Sequence, residues 1–156
     1  MKKQVLYILL LFAFISCQEE VKFNNPSFQG LKDNVFWRAV ASKATFSNNV
    51  LTIEAYTRNE KVTLITNSKN PGTYILGINN LNIATYVLED SNPKITFKTE
   101  AGIGEVDGEI VIEKYDEVNK TVTGTFKFNA VNVTNNPLAG PLLNFQYGHF
   151  YKVPVK

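Results

Sequence analysis

Beyond residue 30 the apolar positions of this chain recur every second residue rather than every third or fourth, which is the period of a strand. The pattern is clearest from Thr121 to Val131. Val122, Phe126, Phe128 and Ala130 share one face with Gly124, and Thr123, Thr125, Lys127 and Asn129 share the other. A slip of one residue would put both phenylalanines in water, so the register is strongly specified. Gly124 on the inner face leaves room for a large neighbour or marks a bend. Upstream, Gly108 to Tyr115 sets Ile110 and Ile112 against Val111, and the turn formers Asp116-Glu117-Val118-Asn119-Lys120 join the two strands into a predicted hairpin. A second hairpin pairs Leu51, Ile53 and Ala55 with Val62 and Leu64 across Arg58-Asn59-Glu60. Thr73 to Gly77, Ile83 to Leu88 and Lys94 to Thr99 are further strands. Asn70-Pro71-Gly72 and Asp90-Ser91-Asn92-Pro93 punctuate them. Val35 to Phe46 opens the domain and His149 to Val155 closes it. The doubled asparagines, such as Asn48-Asn49 and Asn79-Asn80, read as turns because Asn tolerates positive φ and bonds its own backbone.

No stretch after the first thirty residues has a helical period, and no fixed repeat appears. About nine short strands at this spacing predict an all-β fold, either an antiparallel β-sandwich or a flattened up-and-down barrel. Alternation alone leaves both open.

The N-terminus breaks the pattern. Lys2 and Lys3 precede an uncharged apolar run of eleven residues, Val5 to Ile15. As a helix it would reach about 16 Å, against roughly 30 Å of bilayer hydrocarbon, which suits an export signal and not a membrane span. The run ends in Phe14-Ile15-Ser16-Cys17, which resembles a bacterial lipobox, with Phe14 in place of the usual Leu. That resemblance implies signal cleavage between Ser16 and Cys17, and acyl chains such as palmitate on Cys17. At about 0.8 kcal/mol per buried methylene, two or three chains make a stable anchor. Gln18, Glu19 and Glu20 then resemble the acidic surface-export signal of lipoproteins in Bacteroidota. The expected layout is a signal peptide over 1–16, an acylated tether over 17–30 and a single antiparallel β domain over 31–156. The expected location is the outer membrane, lipid-anchored and facing the cell surface, with the periplasmic face as the alternative.

Charge and composition narrow the rest. Loss of Lys2 and Lys3 with the signal reduces sixteen basic residues to fourteen, equal to the fourteen acidic ones. A neutral chain offers no basic footprint for nucleic acid. Cys17 is the only cysteine, so no internal disulfide can form and the core alone must stabilise the domain. The sequons at Asn119 and Asn132 read as accidental in a bacterial lipoprotein.

Several segments together carry a family resemblance: Phe36-Trp37-Arg38-Ala39, Leu51-Thr52-Ile53-Glu54-Ala55, Gly72-Thr73-Tyr74-Ile75-Leu76-Gly77, Gly108 to Asp116 and Thr121 to Ala130. They resemble a domain family of unknown function found in small Bacteroidota lipoproteins. Most of residues 30–156 is covered, while Asn132 to Gly148 is longer and more Pro-rich than that pattern. The resemblance implies a β-rich envelope domain and brings no catalytic residues.

Candidate chemistry is sparse. His149 is the only histidine and is expected as a strand residue, not as a base with a partner. With Cys17 acylated, no thiol nucleophile remains and His/Cys zinc sites lack ligands. Glu105, Asp107 and Glu109 alternate onto one side of a strand, with Asp116 and Glu117 in the next loop. A solvated face is expected, with calcium binding or a glycosidase pair as the sharper alternatives. Gly102 to Gly108 is glycine-rich but lacks the helix and Lys of a phosphate loop, and reads as a turn. Trp37 and the tyrosines Tyr56, Tyr74, Tyr86, Tyr115, Tyr147 and Tyr151 are expected in packing, with a sugar-stacking face as the alternative. The resulting expectation is a non-enzymatic, cofactor-free lipoprotein that binds or scaffolds an envelope protein or glycan. A barrel enclosing a small apolar or sugar ligand is the alternative, and a carboxylate-dependent hydrolase comes third.

Overall fold

In the computed structural model, which describes residues 27–103, 107–134, 136 and 139–156, the alternation becomes eleven strands with no helix among the described residues. They are β1 (Ser27–Lys32), β2 (Val35–Arg38), β3 (Ala41–Ser47), β4 (Val50–Tyr56), β5 (Glu60–Thr66) and β6 (Gly72–Ile75). β7 (Ile83–Leu88), β8 (Ile95–Lys98), β9 (Asp107–Asp116), β10 (Thr121–Asn132) and β11 (Leu142–Pro154) follow. Nine of them form one curled path, β2-β1-β11-β10-β8-β7-β5-β4-β3, and all of its ladders are antiparallel.

β10 is the fork of the sheet. One edge pairs β11 along its length. The other pairs β9 from Thr121 to Asn129 and then β8 at Val131 and Asn132. β9 carries β6 on its far side. The sheet curls until β3 returns to the chain end, where Ala44 bridges Val155 and the Lys156 N–H donates to the Ala44 carbonyl at 2.9 Å. The all-β antiparallel expectation therefore holds, in the form of a curled half-barrel.

Local chemistry explains the turns. Asp33-Asn34 and Asn48-Asn49 both hold left-handed φ, between 48° and 64°, in two-residue hairpin loops. Such loops need positive φ at both central positions, which, glycine aside, Asn and Asp accept at the least cost. After β9, the Asp116 carboxylate accepts the N–H groups of Val118 (3.1 Å) and Asn119 (2.8 Å), as its turn-forming sequence predicts.

The inward positions of all the long strands meet in one core. Its centre is aromatic. Phe126 packs on Phe28 at 4.8 Å between ring centroids and on Phe145 at 5.1 Å, while Trp37 meets Phe145 edge-on at 5.6 Å. Two glycines make that density possible. A Cβ on Gly124 would lie 1.9 Å from the Val111 carbonyl oxygen, and one on Gly148 would lie 2.5 Å from the Phe126 ring. The large neighbour expected beside Gly124 is Phe150.

Three boundaries differ from expectation. Residues 27–30, expected in the tether, are strand, because Phe28 and Gly30 face the core beneath β11. Val35 to Phe46 divides at Ala39-Val40, since β2 pairs β1 and β3 pairs β4. The last strand begins at Leu142, ahead of the expected His149. Its inward residues are Leu143, Phe145, Gly148, Phe150 and Val153, a spacing that alternates two and three because bulges interrupt it.

Candidate functional site

Among the described residues, one polar cluster lies inside the curl and another on its outer face. The inner one is built on Glu60, the first residue of β5. Its N–H donates to Thr57 Oγ1 at 3.0 Å, which fixes the turn. Its carboxylate accepts Trp37 Nε1 at 2.6 Å and the Tyr86 hydroxyl at 2.5 Å, and pairs with Lys32. Lys32 also donates to the Tyr86 oxygen at 2.9 Å and sits over its ring. Burial alone would raise the Glu60 pKa, but the donors from Lys32, Tyr86 and Trp37 win and hold it below the ordinary value. Burial and the adjacent Glu60 charge push the Tyr86 hydroxyl the other way, well above its usual range. With the Thr57 hydroxyl also donating at 3.3 Å, a carboxylate with lowered basicity and four donors is a poor proton acceptor. The cluster ties the β1–β2 hairpin to β5 and β7, which lie far from it along the sheet path, and works as a clamp across the curl.

The outer site lies on the exposed face of β9, β10 and β11. Side chains form a row across the strands. Asn129 Nδ2 donates to Asp107 at 2.7 Å, Asn144 Nδ2 donates to Asn129 Oδ1 at 2.5 Å, and the Asn144 N–H donates to Asp33 at 2.9 Å. The next row pairs Lys127 with Glu109 at 3.2 Å. Opposite Lys127, β11 carries two residues, Gln146 and Tyr147, where β10 carries one. Tyr147 sits at a left-handed φ of 51° and is 74% exposed. A non-glycine residue held there costs about 1–3 kcal/mol, and such strain is found where a side chain must be aimed. A second bulge places Tyr151 and Lys152 opposite Thr123, with Lys152 also at positive φ.

The Gln146-Tyr147 bulge borders a groove made of two adjoining hollows. One hollow of about 560 Å³ runs from Ile75 and Ile78, past Asp107 and Asn129, to Gln146. A second of about 350 Å³ holds Thr125, Tyr147 and His149, and shares Glu109, Lys127 and Gln146 with the first. Both hollows are open to solvent along the face of the sheet. Among the described residues, Gln146, Tyr147 and His149 make no side-chain hydrogen bond, so their polar atoms remain available on the groove wall.

The residues singled out from the sequence separate accordingly. Ser16, Cys17, Gln18, Glu19 and Glu20 lie outside the described residues, as does Glu105. Asp107 and Glu109 reach the groove, each bonded to a β10 neighbour. Asp116 serves its turn, where the Asn119 backbone and side-chain donors keep its pKa well below the carboxylate range. Glu117 pairs with Lys69, which sits over the rings of Phe46 and Tyr115. Trp37 and Tyr86 belong to the inner clamp. Tyr56 lies under Lys43 and Lys61, Tyr74 donates to the Asn70 carbonyl at 2.7 Å, and Tyr151 stacks beneath Lys152. His149 stands on the groove wall. Among the described residues no group of three His, Cys, Asp or Glu is arranged to hold a metal ion. Sequence reading missed Lys32 and took Glu60 for a turn residue, and it gave no role to Asn129, Asn144 or Gln146. Only the outward placement of Asn129 by the β10 alternation hinted at the groove.

The molecule is thus of the all-β, curled-sheet class with antiparallel ladders, and has a polar groove on one outer face. The chain belongs to the DUF6252 family, a domain of unknown function, which matches residues 24–154 and so spans the Pro-rich stretch before Gly148. No curated protein and no solved structure matches it.

Proposed function

We propose that this is a lipid-anchored bacterial outer-membrane protein whose β domain binds a ligand at the cell surface without transforming it. The observation that carries the binding reading is the open groove over β9, β10 and β11, whose carboxylates are already engaged by Asn129 and Lys127. Two engaged acids on one strand do not resemble a facing acid/base pair. The inner space argues against an enclosed ligand, because Phe28, Phe126, Phe128, Phe145 and Phe150 fill it. The anchor rests on the lipobox ending at Cys17, and the outward orientation on Gln18, Glu19 and Glu20.

Radiolabelled palmitate fed to cells expressing the chain tests the anchor. Label is expected on the native chain and absent from Cys17→Ala, and label retained in that variant refutes the anchor. Protease added to intact cells is expected to degrade the domain. Full protection places it on the periplasmic face.

A further inference from the structure

We propose that the outer groove is a subsite for an uncharged polysaccharide, held by sugar-ring stacking on Tyr147 and by hydrogen bonds from the polar rows of β9, β10 and β11. The inference rests on the groove being the binding surface and is independent of the anchor. Three observations select this class of ligand.

The first is the platform. The Gln146-Tyr147 bulge holds an aromatic ring out in solvent at 74% exposure, in a backbone conformation tyrosine rarely adopts. A pyranose ring presents an apolar C–H face, which suits the electron-rich face of an aromatic ring. The second is the lining. Amide, carboxylate and imidazole groups stand on rigid strands at the spacing of the sheet, and the Asp107–Asn129–Asn144 row is pre-ordered by its own hydrogen bonds. Sugar hydroxyls need such a mixture of donors and acceptors, and a pre-ordered row loses little entropy on binding. The third is charge. Lys127 and Glu109 neutralise each other, leaving Asp107 as an uncompensated negative group among amides. A uronic or sulfated chain would be repelled there, whereas hydroxyls can donate to the carboxylate oxygen that Asn129 does not use. Within the lining of the larger hollow the exposed apolar side chains are Ile75 and Ile78, at one end of it, so a protein partner finds no apolar anchor at its centre.

Native gel electrophoresis of the full detergent-solubilised chain, through gels containing dextran, laminarin, mannan or xylan, tests the inference, with alginate as the anionic arm. Retardation is expected in at least one neutral gel and not in alginate. Tyr147→Ala should raise the apparent Kd about tenfold, the scale of one lost aromatic contact. Tyr147→Phe should restore binding, which separates stacking from folding. Asn129→Ala should weaken binding by a smaller factor. No neutral retardation, or retardation by alginate alone, overturns the saccharide class. Retardation that survives both Tyr147→Ala and Asn129→Ala moves sugar binding elsewhere and overturns the groove as the binding surface. In cells, p-benzoylphenylalanine placed at position 147 separates the remaining cases. An adduct with a protein, without any polysaccharide retardation, retains the groove and refutes the sugar; neither adduct nor retardation refutes both.

Discussion

The two wings of the sheet solve the same packing problem in opposite ways. From β3 through β4, β5 and β7 to β8, residues pair in unbroken register. Their outer face closes on itself, with Glu54 held between Lys61 at 2.5 Å and Lys43 at 3.1 Å, and Tyr56 beneath both lysines. The β9–β10–β11 wing carries extra residues at Glu113, at Gln146-Tyr147 and at Tyr151-Lys152. Bulges increase local twist and redirect side chains. The regular wing spends its outer groups on each other, and the bulged wing leaves Gln146, Tyr147 and His149 facing a hollow. Irregularity in this molecule coincides with available chemistry.

The sharpest way to break that contrast is to ask whether the bulged wing is structurally weaker. It should not be, because its inner face carries the aromatic centre of the core. Phe126→Ala should destabilise the domain by about 4 kcal/mol in urea unfolding, no less than the roughly 3 kcal/mol of Leu64→Ala on the regular wing. A loss of under 1 kcal/mol at Phe126 would mean that the groove wing packs loosely. The clamp should come next. Glu60→Gln keeps an acceptor for Trp37 but leaves Lys32 without its counter-ion, and should cost about 2 kcal/mol. An unchanged denaturation midpoint would show that the β1–β2 hairpin does not need it.

The third test separates stability from binding on the bulged wing. Tyr147→Gly relieves the left-handed strain, so stability should hold or rise by up to about 1 kcal/mol while polysaccharide retardation is lost. A marked destabilisation would make Tyr147 a structural residue.

The smallest effect belongs to the regular wing's charges. Burial would raise the Glu54 pKa, but hydrogen bonds from Lys61 and Lys43 lower it from the ordinary 4.5 to about 2. A depressed folded pKa stabilises the native state above the unfolded value, and that contribution disappears as pH falls from about 4.5 through about 2. Glu54→Gln should therefore cost less than about 1 kcal/mol at neutral pH and flatten part of this acid limb. Identical acid limbs in the two proteins would remove Glu54 from the titration.

Legibility in the sequence follows the same division. The regular wing could be read almost residue by residue, since Leu51, Ile53 and Ala55 and then Val62 and Leu64 keep a strict period of two and face the core. β10 was equally plain. β11 was not, because each bulge shifts the inward set by one residue, from Phe145 to Gly148 and from Phe150 to Val153, and erases the alternation that would announce a strand. β1 was hidden because Gly30 supplies no apolar signal at one of its inward positions. The candidate site shares this blindness. Asp107, Glu109 and His149 were visible as types, but nothing local marks Gln146-Tyr147 as the wall that gathers them.

The sequence alone determined the class of the fold, the inward and outward positions of the regular strands and the chemistry on offer: one histidine, one cysteine and sixteen basic against fourteen acidic residues. These are local properties, written in a period of two and in supply. Tertiary structure decided the fork at β10, the clamp between Lys32 and Glu60, and the groove beside Tyr147. Each of these depends on residues far apart in the chain meeting across a curled sheet, and the curl arises from strand twist and bulges that a single strand's pattern does not encode.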